Sequence, residues 1–298
     1  MRDFLQLLVA GVAVGALYAL VALGFVIIYK ATGVINFAQG ALLLLGAYFS
    51  YSFHETFKLP FVVAALLAMA ACAIVGVVVE RLILSRMVGQ PVFAVIMITL
   101  GLTIFLEQTV IWRWTGLQRN LSDPWGLDTW TVGEVVIPVV NVVRIVVAAA
   151  LLAAFFAFFR YSRLGVAMRA TASDQEAALA QGISARRIFA LSWAVAAAVA
   201  ALAGVLLSSG GRGVDPSLGV VALVAFPAII LGGLDSPGGA VVGGIVMGVV
   251  ETMTSGYSDR LPEALGNNFH RVTPYVVLVA ILLIRPYGLF GTHEVRRV

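Results

Sequence analysis

The residues that most often perform catalysis or bind metals are few and widely separated in this chain. The three histidines are His54, His270 and His293, and the sequence contains neither an HExxH motif nor a GxSxG nucleophile elbow. Cys72 is the only cysteine and lies within an apolar run, which excludes a disulfide or a cysteine-based metal cluster within the chain. The sequence therefore offers no constellation for metal or nucleophilic catalysis, and we expect neither an enzyme nor a metal site.

Nucleotide hydrolysis needs a P-loop, in which a lysine directly follows a glycine. The only two lysines do not meet this condition, because Lys30 follows Tyr29 and Lys58 follows Phe57. We therefore expect no cofactor on this chain. If ATP drives the protein, ATP and its Mg²⁺ are bound by partner subunits.

Four polar side chains within apolar stretches are candidates to line a path for a solute: Asn36, Gln39, Glu107 and Gln108. Polar groups at membrane depth normally face a cavity or a neighbouring helix. Asn36 and Gln39 are spaced i, i+3, so one helix face can present both. The alternative is that these amides hydrogen-bond to neighbouring helices, and that Glu107 is paired locally or reaches toward water near a helix end. Glu251 is the other plausible carboxylate within an apolar segment.

The elements that must position these residues are long apolar segments. The chain has 298 residues, 61% hydrophobic and 11% charged, with a mean hydropathy of +1.02, whereas a soluble domain is about 45–50% apolar and about 25% charged. A helix needs about 20 residues to cross a bilayer. We predict an all-α polytopic membrane protein, a single transmembrane domain over residues 1–298 with eight or nine transmembrane helices. The candidate spans are 4–29, 32–53, 59–79, 91–115, 135–159, 188–209, 219–234, 238–256 and 272–290.

Glycine and proline interrupt two of these segments. Gly33 and Gly40 flank the amides of span 32–53, which makes it the doubtful crossing. If this segment crosses fully, the N-terminus is outside, and if it re-enters, the N-terminus is inside. The second break, which is either a tight turn between two packed spans or a gate, contains Gly232, Gly233, Pro237 and Gly238.

Basic residues indicate which side of the membrane is cytoplasmic. The formal net charge is +4, and Arg and Lys beside short loops mark the inner face. We therefore place the loop 160–187 and the C-terminus inside, and interpret Glu80–Gln90 as a short interfacial connection on the same side. No long basic stripe exists, so we expect no nucleic-acid partner. The arginines concerned are Arg160, Arg163, Arg169, Arg186, Arg187, Arg285, Arg296 and Arg297.

The loop between the fifth and sixth candidate spans has the pattern of a short helix. Ser173 can cap its beginning, with Glu176 completing a capping box. Gly182 is placed to end this helix as a C′ glycine, and Ser184 can start the next membrane helix. The pattern predicts a short rigid helix on the cytoplasmic surface, which either fits a cleft on a partner or merely connects two spans.

Four stretches carry a family resemblance. They are Gly33-Val-Ile-Asn-Phe-Ala-Gln-Gly40, Arg160-Tyr-Ser-Arg-Leu-Gly165, Glu176-Ala-Ala-Leu-Ala-Gln-Gly182 and Gly232-Gly-Leu-Asp-Ser-Pro-Gly-Gly-Ala-Val-Val-Gly-Gly244. The third is similar to the EAA-x-x-x-G loop of ABC importer permeases. In this order, and over nearly the whole chain, the four resemble the LivH-type permeases of branched-chain amino acid ABC importers. The C-terminal stretch Arg285–Gly291 fits the same group.

The resemblance implies a subunit of a bacterial cytoplasmic (inner) membrane importer. Its partners would be a second, similar permease, two ABC ATPases and an extracytoplasmic solute-binding protein, within the lipid bilayer. The ligands would be leucine, isoleucine and valine, although relatives carry urea or short amides. Gln39 stands where the family usually has histidine, which puts any titrating role at this position in doubt. The residues that would couple the chain to its ATPases are Glu176, Ala177, Ala178, Gly182, Arg186 and Arg187.

Three functional classes compete at this point. An ion-coupled transporter or channel would be favoured by paired charges within the membrane, and Glu107 has no clear partner in the sequence. A membrane-embedded enzyme would need a catalytic constellation. The permease interpretation accounts together for the missing nucleotide motif, the short cytoplasmic helix and the lack of a soluble domain.

Overall fold

The structure, a computed structural model, describes residues 2–87, 89–258, 268–285 and 287–291. His293, Arg296 and Arg297 lie outside these residues. The described chain is mainly helical, with a π-helical turn at Ser52–Thr56 and 3₁₀ turns at Leu84–Arg86 and Pro216–Val220. The helices and strands are α1 Arg2–Thr32, α2 Gln39–Tyr51, α3 Phe61–Leu82, α4 Val92–Trp114, β1 Thr129–Val132, β2 Val135–Pro138, α5 Val139–Tyr161, α6 Arg163–Ser173, α7 Gln175–Ala180, α8 Ala185–Ser208, α9 Val221–Val224, α10 Phe226–Gly232, α11 Pro237–Gly256 and α12 Phe269–Ile284.

Six described helices are long and apolar enough to cross a membrane: α1, α3, α4, α5, α8 and α11. They confirm the prediction of a polytopic helical protein. Two further apolar segments, Pro216–Gly232 and Phe269–Ile284, and the 13-residue α2 are shorter than the about 20 residues that a full crossing needs. The count of eight or nine crossings therefore stays a prediction.

Helix α1 forms the centre of the bundle, and its residues from Gly15 to Ile28 are all buried. Its closest neighbour is α11. A Cβ atom added at Gly15 would lie 2.6 Å from the Cα of Ile245, and one added at Gly11 would lie 2.8 Å from the Cα of Val249. On the α11 side, Gly244 and Gly248 likewise lie against the backbone of α1, with no room for a Cβ atom. The two GxxxG patterns, 11–15 and 244–248, therefore face each other, as in small-xxx-small packing of membrane helices.

The two ends of the bundle differ in structure. The first turns of α1 lie near Val136–Pro138 and the end of α11, and we call this the hairpin end. The last turn of α1 lies near the beginnings of α4 and α8 and near α7, and we call this the arginine end because it carries residues 160–187. Helix α1 thus runs from the hairpin end to the arginine end.

The structure departs from the predicted span 135–159 at the hairpin end, where a short β-hairpin precedes the helix. Residues 129–138 form an antiparallel hairpin in which Val132 pairs with Val135, and α5 begins only at Val139. Gly133 occupies the two-residue turn with a φ of 63°, the left-handed region that such turns require. Pro138 ends the strand and precedes the helix, where its missing N–H costs no hydrogen bond.

Side-chain hydrogen bonds attach the loop before this hairpin to the bundle. The Ser122 N–H donates to Glu55 Oε1 at 3.0 Å, and the Gly210 N–H donates to Asp123 Oδ2 at 2.6 Å. Hydrogen bonding from Ser122 lowers the pKa of Glu55 below its usual value, and the charges of His54 and Lys58 add to this effect while partial burial opposes it. Two carboxylates therefore fix the loop to the π-helical turn after α2 and to the segment that follows α8.

Candidate translocation and coupling sites

Asn36 and Gln39 lie together in the connection between α1 and α2, and both are fully buried. Asn36 Oδ1 accepts a hydrogen bond from the Ala38 N–H at 3.0 Å, and its Nδ2 donates to Gln39 Oε1 at 3.4 Å. Gln39 Nε2 donates to the carbonyl of Ala196 in α8 at 3.3 Å. The two amides contact each other, but Asn36 precedes the first residue of α2, so they do not lie on one helix face as their spacing predicted. Gln39 joins neighbouring helices, which is the alternative considered for it, and its place in a path stays a prediction.

A cavity of about 340 Å³ opens at the arginine end, between the ends of α1 and α3, the beginnings of α4 and α8, and α7. Asn36 lines it, and Gln39 does not. Its apolar wall includes Ile28, Phe189 and Trp193. The polar residues that line it are Thr32, Asn36, Glu80, Gln90, Thr99 and Gln175.

Glu80 is the member of this cavity that sequence reasoning missed. Its side chain is almost completely buried, with 1% of its surface exposed. The segment Glu80–Gln90 is not simply an interfacial connection, because α3 continues to Leu82 and Glu80 faces inward, while Arg81 and Arg86 are exposed. The sequence feature that could have identified Glu80 is its position: it is a carboxylate directly after a long apolar run, in the last turn of α3.

The structure separates Glu107 from Gln108. Gln108 is exposed on the outer surface of α4, while Glu107 is half-buried and turned toward Gly219. Gly40 at the start of α2 lies against the carbonyl of Gly219, and a Cβ atom would not fit there.

Glu251, the other carboxylate considered beside Glu107, accepts a hydrogen bond from Tyr18 Oη at 2.6 Å. Neither carboxylate forms an ion pair within the described residues, so paired charges of a carrier are not observed there.

The predicted short helix is present as α7, but its N-cap was predicted wrongly. Ser173 is the last residue of α6, and Asp174 caps α7 by accepting a hydrogen bond from the Ala177 N–H at 2.9 Å. The expected capping box does not form because the two short helices abut, so the only extended residue between them is Asp174.

The end of α7 is as predicted. Gly182 has a φ of 81°, its N–H donates to the carbonyl of Leu179 at 2.9 Å, and the Ile183 N–H donates to the carbonyl of Ala178 at 3.0 Å. This is the Schellman arrangement that glycine favours at C′. Ala178 is buried, whereas Glu176, Ala177, Gly182, Arg186 and Arg187 are exposed. Ser184 precedes α8 at the N-cap position without a side-chain hydrogen bond.

The second glycine break is a tight turn between α10 and α11. Gly232 lies against the backbone of Gly239, and Gly233 has a φ of 101°. Ser236 caps α11 by accepting from the Gly239 N–H at 3.1 Å, with Pro237 in the first turn. Gly238 and Gly33 have open space around them, so neither is a close packing site.

The C-terminal stretch packs on this turn. The Leu289 N–H donates to the carbonyl of Leu231 at 2.7 Å, and the Phe290 N–H donates to the carbonyl of Gly232 at 3.2 Å. A Cβ atom at Gly233 would lie 2.6 Å from the Gly291 nitrogen. Lys30 Nζ also reaches the turn and donates to the carbonyl of Asp235 at 3.0 Å. The glycines of the turn therefore make room for the chain segment that follows α12.

The described residues contain no group of three or more His, Cys, Asp or Glu side chains that would hold a metal ion. Six apolar helices, of which α1 is the most buried, and a polar-lined cavity at one end define a multi-pass membrane protein.

Comparison with known proteins then gives the family. The chain belongs to the family described as the permease component of the branched-chain amino acid transport system, with a match over residues 7–283. It is 32% identical to the high-affinity branched-chain amino acid transport system permease protein LivH of Salmonella typhimurium, over 99% of this chain and 98% of that protein. It is 30% identical, over the same shares, to the permease protein BraD of Pseudomonas aeruginosa.

A probable branched-chain amino acid transport permease protein LivH of Methanocaldococcus jannaschii is 27% identical over 92% of this chain and 89% of that protein. The resemblance inferred from the four short stretches is thereby confirmed. The relatives are transport subunits and not enzymes.

Proposed function

We propose that this chain is the permease subunit of an ATP-driven importer for the branched-chain amino acids leucine, isoleucine and valine. The transport functions of relatives that align over nearly their whole length support this substrate class. The sequence holds no P-loop, so ATP and Mg²⁺ belong to two ABC ATPase subunits. A second, similar permease and an extracytoplasmic binding protein complete the assembly.

The observation that carries the coupling role is the exposed helix α7. It projects Glu176 and Ala177 outward, is capped at both ends, and is joined through Gly182 directly to α8. Helix α8 in turn packs on α1, α2 and α3 with a buried face over most of its length. A displacement of α7 by a partner therefore has a short, rigid route to the helices around the cavity.

The same geometry supports our proposal for the orientation of the chain in the membrane. The arginine end is cytoplasmic by its basic residues, and α1 begins at the opposite end, so the N-terminus is extracytoplasmic and the C-terminus cytoplasmic. The short segments α2, α9–α10 and α12 complete eight or nine crossings of the bacterial inner membrane. Transport then proceeds by alternating access, as the ATPases close on ATP, push residues 170–187 and reorient the spans. Specificity lies mostly in the external binding protein.

The test of coupling is Gly182→Arg in the complete transporter reconstituted in vesicles. An arginine at Gly182 must adopt a left-handed backbone and adds a bulky cation beside α7. We expect normal assembly and ATP hydrolysis, with leucine uptake per ATP reduced about tenfold or more.

The matched control is Gly126→Arg. Gly126 also has positive φ, 48°, and has no neighbour within 4 Å of an added Cβ, but it lies in the loop at the hairpin end. This variant should retain uptake. Normal uptake by Gly182→Arg, or an equal loss in both variants, would remove the coupling role of this segment.

A further inference from the structure

The carboxylate of Glu80 has no hydrogen-bond partner within the described part of the chain. Both of its oxygens are buried and unbonded, and the side chain belongs to the lining of the cavity at the arginine end. No described basic residue forms an ion pair with it. Arg81 and Arg186 are near enough for their charges to act on Glu80, but their side chains are exposed and do not fill this role.

A buried carboxylate without a partner is strongly unfavourable, because it loses hydration and gains no hydrogen bond. Intramembrane carboxylates commonly mark the path of a substrate or ion. Since the described residues supply no donor to this carboxylate, the structure points to a cationic group that enters the cavity as a ligand.

The remaining lining restricts what that group can belong to. Besides the polar residues, the lining includes an apolar wall formed by Ile28, Leu84, Val95, Phe189 and Trp193. The first turn of α4, whose leading N–H groups have no acceptor within the helix, borders the same space through Val92. A helix N-terminus of this kind favours a carboxylate. The cavity volume of about 340 Å³ lies within the range of small-molecule sites.

We propose that this cavity is a binding site for a zwitterionic amino acid with a branched apolar side chain. The ammonium group pairs with Glu80, the carboxylate faces the beginning of α4, and the side chain lies on the apolar wall. This site rests on the proposed import function and adds to it a position where the permease itself recognises the solute at the cytoplasmic end. It also discriminates amino acids from urea, which has no ammonium group.

The test measures protection of a cysteine at the cavity mouth. Gln90 is exposed and lines the cavity, and the natural Cys72 is buried, so Gln90→Cys gives this chain one accessible thiol, whose maleimide labelling is read on this subunit of the assembled transporter. The probes are leucine, 3-methylbutylammonium, 4-methylpentanoate and urea. We expect leucine and the ammonium probe to slow labelling, with the carboxylate probe and urea having little effect.

Glu80→Gln keeps the shape of the side chain and removes its charge. It should raise the leucine concentration needed for half-protection by about tenfold or more, as expected for loss of a hydrogen bond to a charged group. Glu55→Gln, the same substitution at the hairpin end, should leave protection unchanged. Unchanged protection in Glu80→Gln, or equal protection by urea or 4-methylpentanoate, overturns the site.

Two further outcomes distinguish a solute site from a contact with a partner protein and from a failure of the importer assignment. If the ATPase subunits protect the thiol without any solute, the cation belongs to a partner protein and the proposal is wrong. ATP-driven uptake is measured on the same vesicles. Uptake of leucine without protection contradicts the site alone, whereas protection without uptake of any branched-chain amino acid supports the site and contradicts the proposed importer.

Discussion

The contact between α1 and α11 allows one quantitative prediction about stability, made with Gly15→Ala. The new Cβ atom would lie 2.6 Å from the Cα of Ile245 and 2.8 Å from its carbonyl oxygen. Carbon atoms at optimal separation are about 3.5–4.0 Å apart, so the helices must separate by about 1 Å. Both opposing atoms belong to the backbone, and a change of rotamer therefore cannot relieve the overlap.

The expected cost follows from this overlap. Overpacking of this kind typically destabilises by about 1–3 kcal/mol, and the better helix propensity of alanine returns at most about 1 kcal/mol. We expect a net loss of about 1–2 kcal/mol, which corresponds to a fall in Tm of about 2–8 °C for a chain of this order of size.

The assay is thermal unfolding of the purified transporter, followed by loss of the monodisperse complex. Gly101→Ala serves as the matched control, because Gly101 is an exposed glycine within α4 with no atom near an added Cβ. The control should keep or slightly raise the wild-type Tm. If Gly15→Ala is as stable as Gly101→Ala, direct backbone contact between α1 and α11 does not limit their approach and the reasoning fails.

Two other predictions concern side-chain links between distant elements. The pKa of Glu55 is lower in the folded protein than in the unfolded chain. The hydrogen bond from Ser122 to Glu55 therefore contributes its full stability above the ordinary pKa of a glutamate, about 4.3. This stability is lost as the pH falls through the lower pKa of the folded protein. Proteolysis of the loop at Ser122 should therefore increase on acidification below about pH 4, and Glu55→Gln should already be susceptible at pH 7; equal cleavage of both proteins at pH 7 would contradict this. Tyr18→Phe removes the donor to Glu251 and should cost about 1 kcal/mol, seen as a lower Tm of the complex, and an unchanged Tm would show that the bond contributes no net stability.

The long apolar runs allowed most of the fold to be predicted. Helices α1, α3, α4, α5, α8 and α11 coincide with predicted spans, because a continuous run of this length has few alternatives to a helix. The hairpin of residues 129–138 was missed since its second strand, Val135–Pro138, is as apolar as the α5 helix that follows. Periodicity alone does not distinguish a short apolar strand from the beginning of a helix.

The candidate sites were predicted less completely. The C′ role of Gly182 is a local matter of backbone conformation, and local sequence was enough to predict it. The cap at Asp174 was assigned to Ser173, because both residues favour N-caps and the choice depends on where α6 ends. The unpartnered state of Glu80 depends on which helices close around it, and no spacing in the sequence encodes that arrangement.

The burial of α1 has a consequence for synthesis of the protein. Helix α1 is apolar enough to enter the membrane alone, yet its glycine face fits against α11, more than 200 residues later in the chain. Until α11 emerges from the ribosome, that face is covered by lipid or by an insertion factor. Assembly therefore has an obligatory late step, the packing of α11 on α1. A ribosome stalled before α11 would leave a protein inserted in the bilayer whose central helix lacks this packing partner.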